Sequence, residues 1–315
     1  MLSMLPQVLI DGLTLGFMYA VVALGYTMVY GILEFINFAH GEIFMVGAFV
    51  GTEVLLITDS LGALEGMNPF VAFFITLIIS MAITGLLGIT IERIAYRPLR
   101  NAPRLVPLIS AIGVSFLLQD LVRFTEAIAR NAFILNGPQL FTGKFDIGFA
   151  QIPSKSIVII VIAIAMMICL SLFIGKSKWG IAMRAVSQDQ STASLMTINV
   201  DKVIMLTFLI GSSLGGATGV LFAQNYGSID PFIGFILGMK AFTAAVLGGI
   251  GNIKGAMFGG VVIGLIESLA GAYMGQLTNG AFGAEYKDVI AFSILILVLL
   301  FKPEGLFGEA VKEKV

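Results

Sequence analysis

Nine apolar runs, joined by short polar connections, account for most of this chain. They cover residues 7–30, 36–58, 69–91, 106–122, 156–174, 203–225, 229–248, 255–274 and 288–301. A helix needs about 20 mainly apolar residues to cross the hydrocarbon core of a bilayer, and several of the runs reach that length. The glycine-rich and charged runs could instead be broken or re-entrant. The pattern predicts an all-α, polytopic bundle of eight or nine transmembrane helices, forming a single domain over residues 1–315.

Charged residues are too few to cover a water-facing surface. They make up 12% of the 315 positions, against 58% hydrophobic residues, whereas soluble domains carry about a quarter charged residues. The formal net charge of −1 lacks the positive footprint that DNA or RNA binding requires. The composition indicates an integral membrane protein in contact with lipid, and it excludes a nucleic-acid partner.

Residue types that carry catalysis or bind metals are scarce. The single cysteine, Cys169, lies inside an apolar run, and the chain has one histidine. One thiol forms neither a disulfide framework nor a thiolate metal site. The H-E-x-x-H motif of metalloproteases does not occur in the sequence. We therefore expect no metal, no cofactor on this chain and no enzymatic activity, which argues against an intramembrane enzyme.

Basic residues cluster in two short connections. They are Arg93, Arg97, Arg100 and Arg104 in the first, and Lys176, Lys178 and Arg184 in the second. Cytoplasmic loops carry an excess of Lys and Arg, so we expect both connections inside and residues 123–155 as the longest external loop. Nine crossings would place the N-terminus outside, and eight would place it inside.

The second basic connection, residues 175–202, is more than a turn. Apolar residues recur there at roughly helical spacing, at Trp179, Met183, Val186, Ala193 and Met196. This pattern predicts one or two short amphipathic helices at the inner surface. They would either rest on lipid headgroups or dock a cytoplasmic partner.

Three polar residues, Asn37, His40 and Glu42, interrupt the second apolar run. On a helix with 100° per residue, His40 and Glu42 lie about 200° apart, so they are not expected to pair. If the helix begins near Asn37, that side chain can cap it at the cytoplasmic interface, and Glu42 lies at its positive end. The alternative is that these residues line the inner end of a path or a gate.

Two charges, Lys240 and Glu267, fall inside predicted spans. Charges within a membrane are costly and face a cavity or a partner charge. The two could pair with each other as a structural or subunit contact, or contact a substrate directly. Glycine clusters at 211–219 and 247–260 suit either helix rearrangement or tight helix packing.

Residues 184–198, RAVSQDQSTASLMTI, resemble the coupling motif of ABC importer permeases that take up branched-chain amino acids. Matching positions are Arg184, Ala185, Asp189, Ala193, Leu195 and Ile198. Thr192 and Thr197 depart from the motif, since the family has alanine and glycine there. Loss of that glycine makes a positive φ at Thr197 less favourable, which argues against a turn at this point.

Two further stretches are similar to the same family. They are the N-x-A-H-G-E segment at residues 37–42, followed by Gly47 and Ala48, and the glycine-rich segment 244–264. The order and spacing of the three stretches fit the first of the two permease subunits of a high-affinity leucine, isoleucine and valine importer. Related urea and short-amide permeases share much of this pattern.

The resemblance implies a multi-subunit assembly in a bacterial inner (plasma) membrane. Such a permease pairs with a homologous second permease subunit, rests on two ATP-binding subunits and receives substrate from a periplasmic or lipid-anchored binding protein. Within the implied coupling loop, Arg184 and Asp189 would orient the helix, while Trp179, Ala193 and Leu195 would contact the ATPase groove.

The sequence itself is consistent with ATP hydrolysis on another chain. A P-loop requires G-x-x-x-x-G-K-[ST], and the nearest match, Gly175-Lys176-Ser177, has Leu170 in place of the first glycine. The competing hypothesis is an ion-coupled secondary transporter, in which Asp11, His40, Glu42 or Glu267 would carry the coupling proton.

Overall fold

The computed structural model describes residues 4–33, 35–100, 102–103, 105–146, 148 and 150–308. Within them the chain forms eleven α-helices, α1 (Leu5–Leu33), α2 (Ala39–Ser60), α3 (Pro69–Ile91), α4 (Leu105–Arg130), α5 (Ser154–Lys176), α6 (Lys178–Gln188), α7 (Gln190–Leu195), α8 (Val200–Tyr226), α9 (Ile233–Gly248), α10 (Ile253–Leu277) and α11 (Lys287–Phe301). A π-helical turn (Glu92–Tyr96) and a 3-10 turn (Arg97–Leu99) continue α3, and another 3-10 turn (Ala284–Tyr286) precedes α11. Each predicted apolar run overlaps one of these helices.

Seven of the described helices are long and apolar enough to cross a membrane, namely α1 to α5, α8 and α10. The chain is a multi-pass membrane protein. Helix α9 has 16 residues and α11 has 15. At 1.5 Å per residue, each is shorter than the hydrocarbon core of about 30 Å. The number of full-length helices among the described residues is therefore seven, because the apolar runs 229–248 and 288–301 form the short helices α9 and α11.

Helices α1, α2 and α8 form the centre of the bundle. Helix α1 packs along α10, and α8 packs between α2 and α3. Helices α4, α5 and α11 lie at the periphery with exposed apolar side chains such as Phe116, Val161 and Leu300. A helix with apolar residues on its outer face suits lipid or a second subunit rather than water.

Glycines let the central helices approach closely. A Cβ atom at Gly47 on α2 would overlap backbone atoms of Gly216 on α8, and one at Gly260 on α10 would overlap the backbone of Ala20 on α1. Small residues at helix interfaces allow such contacts in membrane bundles. The glycine clusters therefore serve tight packing, one of the two interpretations that the sequence allowed.

Two short β-ribbons lie at the end of the bundle that the sequence predicts to be external. Strand β1 (Leu135–Asn136) pairs antiparallel with β4 (Ser228–Ile229), and β2 (Lys144–Asp146) pairs with β3 (Gln151–Pro153). The sequence analysis did not predict them, because strands of two or three residues give no periodic signal. Helix α4 also continues to Arg130, well into the predicted external loop.

Candidate functional site

Helices α6 and α7 form a short helical pair between α5 and α8. The hydroxyl of Ser177 accepts a hydrogen bond of 2.9 Å from the Gly180 amide and caps α6. The Asp189 carboxylate accepts hydrogen bonds from the amides of Ser191 and Thr192, at 2.8 and 3.1 Å, and caps α7. The amphipathic helices that the sequence predicts over residues 179–198 are therefore present.

Asp189 is a strong cap because hydroxyl groups also surround it. The hydroxyls of Ser191 and Thr192 each donate a 2.6 Å hydrogen bond to its carboxylate. These bonds hold the pKa of Asp189 well below its usual value of 3.8. A carboxyl whose pKa falls on folding contributes stability above its unfolded pKa and loses that contribution as the pH falls below it. The cap is thus fully formed at neutral pH.

A left-handed turn ends α7 in spite of the missing glycine. Thr197 has φ of 64°. The Ile198 amide donates to the Ala193 carbonyl at 3.2 Å, and the Thr197 amide donates to the Ser194 carbonyl at 3.1 Å. These two bonds define a Schellman motif, in which the left-handed residue is usually glycine. The expectation that Thr197 argues against a turn is wrong, because the paired amides hold the threonine in the strained conformation.

The Schellman turn predicts that Thr197→Gly stabilises the protein. A residue with a Cβ atom in the left-handed region carries a penalty of roughly 1–2 kcal/mol that glycine avoids. We expect the free energy of unfolding to rise by about 1 kcal/mol, as measured by thermal denaturation of the purified protein in detergent. The control is Thr192→Gly, at a helical position, where glycine should lower stability because it is a poorer helix former and because the hydroxyl bond to Asp189 is lost. An unchanged or lower stability of Thr197→Gly would contradict the strain.

The helical pair is tied to two membrane helices. The guanidinium of Arg184 donates to the carbonyl of Ile174 near the end of α5, and the Gln190 side chain donates to the Ile32 carbonyl near the end of α1 at 2.9 Å. A cleft of about 720 Å³ opens beside α6, between the ends of α1 and α5 and the α9–α10 connection. Arg184 and Gln190 therefore connect the helical pair to α5 and α1.

Apolar side chains of the helical pair face away from the bundle. Leu195 is 83% exposed, Met196 70% and Trp179 45%. Ala193 is only 4% exposed and belongs to the buried core, against which Ala185 and Ile198 also pack. This burial argues against the implied contact of Ala193 with an ATPase groove, which stays a prediction. The sequence alone indicates that Ala193 and Leu195 lie on different faces, because residues 193 and 195 are about 200° apart on a helix.

Asn37 is buried and does not cap α2. Phe38 occupies the N-cap position, and the Asn37 side chain instead accepts a 2.6 Å hydrogen bond from the Tyr96 hydroxyl. Asn37 and His40 are 2% and 1% exposed, so both side chains are buried against protein. This corrects the capping interpretation, because α2 begins at Ala39 with Phe38, and not Asn37, at its N-cap.

His40 and Glu42 point to different neighbours, as their spacing predicts. The His40 ring packs edge-on against Tyr26, with centroids 4.8 Å apart. Glu42 accepts hydrogen bonds from the side chains of Gln119 and Ser115 on α4, at 2.7 and 3.1 Å. Glu42 lies in the first turn of α2, whose positive end stabilises a carboxylate. Its partners were missed because nothing in the sequence fixes how α4 is rotated.

A buried ion cluster joins four helices. Lys240 on α9 contacts Glu267 on α10 at 2.7 Å, as the sequence allowed, and also Asp288 on α11 at 2.7 Å. Lys287 lies 3.3 Å from Glu267, and the Tyr19 hydroxyl of α1 donates to Glu267 at 2.7 Å. Two cations thus balance two anions. Tyr19, Lys287 and Asp288 were not predicted from the sequence as members of this cluster.

The first basic connection is partly neutralised by acids. Arg100 pairs with Glu92 and, at 2.6 Å, with Asp201 at the start of α8, and Arg97 also contacts Asp201. Arg104 lies outside the described residues. Within the described part of the chain, no group of three or more His, Cys, Asp or Glu side chains could hold a metal ion.

Known proteins are similar to this chain over nearly its whole length. Residues 8–299 match the family model described as "Branched-chain amino acid transport system / permease component". The high-affinity branched-chain amino acid transport system permease protein LivH of Escherichia coli is 46% identical over 98% of this chain and 97% of its own length. BraD of Pseudomonas aeruginosa, named as the same kind of permease protein, is 44% identical with the same coverage. A probable LivH of Methanocaldococcus jannaschii is 30% identical over 91% of this chain and 87% of its own.

One solved structure also aligns with the chain. PsaBC from Streptococcus pneumoniae, in complex with a Fab, contains a chain that covers 94% of this one, with a TM-score of 0.47 and 15% identity. That similarity is too low to assign the fold.

Proposed function

The chain belongs to the family of permease components of branched-chain amino acid transport systems, and we propose that it carries leucine, isoleucine and valine into the cytoplasm as one subunit of an ABC importer. The observation that carries this proposal is the 46% identity over 98% of the chain with a permease of that name. ATP hydrolysis would take place on separate subunits, and this chain would supply the membrane passage.

The proposed assembly contains this permease, a homologous second permease, two ATP-binding subunits and an extracytoplasmic substrate-binding protein in a bacterial inner membrane. The exposed apolar faces of α4, α5 and α11 leave room for lipid and for the second permease. Counting the short helices α9 and α11 as membrane segments brings the seven long helices to nine. Basic residues at the ends of α3 and α5 favour a cytoplasmic position for α6 and α7, as the proposal requires.

In the proposed mechanism, α6 and α7 transmit the ATPase motion. Leu195, Met196 and Trp179 form the apolar surface that a partner would cover. Closure of the ATP-binding subunits would pull this surface, and the bonds of Arg184 and Gln190 would carry the motion to α5 and α1. The bundle would then switch from inward-facing to outward-facing, and hydrolysis would reset it.

Replacing Leu195 by aspartate tests the coupling surface. The side chain is 83% exposed, so the folded permease should keep its stability to within about 0.5 kcal/mol. A charge in an apolar interface should lower ATP-dependent leucine uptake at least tenfold, while the ATP-binding subunits keep their basal hydrolysis. The matched control is Leu61→Asp. Leu61 is similarly exposed, at 76%, but it directly follows the last residue of α2, away from α6 and α7. Unchanged uptake by Leu195→Asp would refute the surface.

The test of the whole proposal is uptake of labelled leucine into vesicles that contain the assembled complex. We expect uptake only when ATP and the ATP-binding subunits are present, and strong stimulation by the binding protein. Labelled urea serves as the specificity control and should not accumulate. Leucine uptake by this chain alone, driven by a pH gradient, would overturn the proposal in favour of a secondary transporter. Urea accumulation without leucine would reassign the substrate.

A further inference from the structure

The cleft beside α6 has the size and the lining of a small-molecule site. Its volume of about 720 Å³ lies within the range of roughly 300–1,000 Å³ that is typical of ligand pockets. Such pockets cover the apolar body of a ligand and fix its orientation with a few polar groups. The apolar part of the lining includes Met28, Ile174, Met183, Ile253 and Phe307. The cleft therefore suits a ligand with a hydrocarbon part.

The described residues that line the cleft carry positive charge only. Arg184 comes from α6 and Lys254 from the first turn of α10, and no Asp or Glu side chain is among them. Neither cation forms an ion pair with any residue that the structure describes. Arg184 donates to the Ile174 carbonyl, but a guanidinium has five N–H donors, so others remain. Both charges are therefore free to bind an anion.

The start of α10 adds to this positive character. Asn252 is the N-cap of this 25-residue helix, and Asn252 and Ile253 both line the cleft. The first amides of a helix have no partner within the helix, and its N-terminus carries partial positive charge. Such an end attracts anions.

An unpartnered hydroxyl lies in the wall of the same cleft. Thr27 of α1 lines the cleft and is 2% exposed. Its Oγ1 atom has no hydrogen-bond partner among the described residues. Most buried side-chain polar atoms have a partner, so this hydroxyl is an independent sign that the cleft accepts a polar group.

Glycines keep the cleft open. A Cβ atom at Gly175 or at Gly251 would meet no atom within 4 Å, and one at Gly31 would meet only the Cα atom of Gly251, at 3.9 Å. Gly251 has φ of 92°, a conformation that glycine adopts without strain. The cleft thus has room for a ligand between α1, α5 and the α9–α10 connection.

We propose that this cleft binds an anionic amphiphile, with Arg184, Lys254 and the start of α10 holding the anionic group while the apolar lining covers its hydrocarbon part. Two sources share this chemistry, an anionic phospholipid of the adjacent leaflet and a free carboxylate with an aliphatic chain. A zwitterionic amino acid fits less well, because no carboxylate among the described lining residues holds its ammonium group. The site is therefore separate from the proposed transport of leucine, isoleucine and valine, and it does not depend on it.

Binding of radiolabelled octanoate tests the charge requirement. The purified chain is delipidated and placed in phosphatidylcholine nanodiscs, and binding to empty discs is subtracted. We expect saturable binding, against which leucine and octylammonium compete at least tenfold less well than unlabelled octanoate. Lys254→Gln should weaken binding about two- to fivefold, the range of one exposed charge pair. The control is Lys202→Gln, at the start of α8 and outside the cleft lining, which should bind like the unaltered chain. Absence of saturable binding, or equal weakening by both variants, would overturn the site.

A variant that fills the cleft tests the location. Gly175→Leu adds a side chain where a Cβ atom meets nothing, so the helix should keep its fold while octanoate binding is lost. Gly113→Leu is the matched control, because Gly113 is a helical residue of α4 with equally open space and does not line the cleft. Unchanged octanoate binding by Gly175→Leu would contradict the location.

The same two variants identify the source of the anion. Phosphatidylglycerol that co-purifies with the unaltered chain and with Gly113→Leu, but not with Gly175→Leu, would assign the cleft to a lipid. Octanoate binding without any retained anionic lipid would assign it to a free carboxylate. The measurement is then repeated on the complex with its ATP-binding subunits. If octanoate binding disappears on assembly, a partner subunit covers the cleft, and the ligand site is refuted.

Discussion

Gly47→Ala should destabilise this permease by about 3 kcal/mol, at the upper end of the usual range for overpacked sites. The new methyl carbon would lie 2.7 Å from the carbonyl oxygen of Gly216 and still closer to its Cα atom. Both are backbone atoms of α8, so no side chain can rotate away, and α2 and α8 must separate. Thermal unfolding of the detergent-purified protein, and the amount recovered as a monodisperse peak, would measure the loss.

Gly113→Ala is the matched control for this substitution. Gly113 lies within α4, and a Cβ atom there would meet no atom within 4 Å. Glycine in a helix is less favourable than alanine by roughly 0.5–1 kcal/mol, so Gly113→Ala should raise stability slightly. If Gly47→Ala were as stable as Gly113→Ala, the close approach of α2 and α8 would be wrong.

The helices themselves could be predicted from the sequence. Each apolar run lies on a helix, and the repeat of Trp179, Met183, Val186 and Ala193 predicted a helical segment where α6 and α7 lie. These features depend on neighbours within a few residues. The short β-ribbons and the contact between Asn37 and Tyr96 depend on distant packing, and they were not predicted from the sequence.

The candidate site was predictable only in part, for the same physical reason. Lys240 and Glu267 stood out because a charge inside an apolar run needs a partner. Tyr19 lies 248 positions from Glu267 along the chain, and Asn37 lies 59 positions from Tyr96. Which side chains meet across such separations depends on the rotation and depth of each helix, and hydropathy records neither. Ala193 is the exception, since helical periodicity alone already excluded it from the face of Leu195.

Breaking the buried ion pair should have a still larger effect than overpacking. Lys240→Met leaves Glu267 and Asp288 with only Lys287 as a cation, and Glu267→Met leaves two lysines with only Asp288. Removing one partner of a buried pair typically costs about 3–5 kcal/mol, because an uncompensated charge stays out of water. We expect each single variant to lose most of its folded protein, as measured by thermal unfolding and recovery from membranes.

The double variant Lys240→Met with Glu267→Met should be more stable than either single variant. It removes both inner charges together and leaves Lys287 and Asp288 to balance each other, while the Tyr19 hydroxyl loses an acceptor at a cost of about 1 kcal/mol. Replacing a whole buried pair by apolar residues is often neutral. The exposed pair of Arg123 and Asp120, 3.1 Å apart, provides the control, since Asp120→Asn should change stability by less than about 0.5 kcal/mol. If the two single losses simply added in the double variant, Lys240 and Glu267 would not be coupled. Recovery in the double variant would instead show that charge balance within the cluster, rather than the pair itself, is what the folded permease requires.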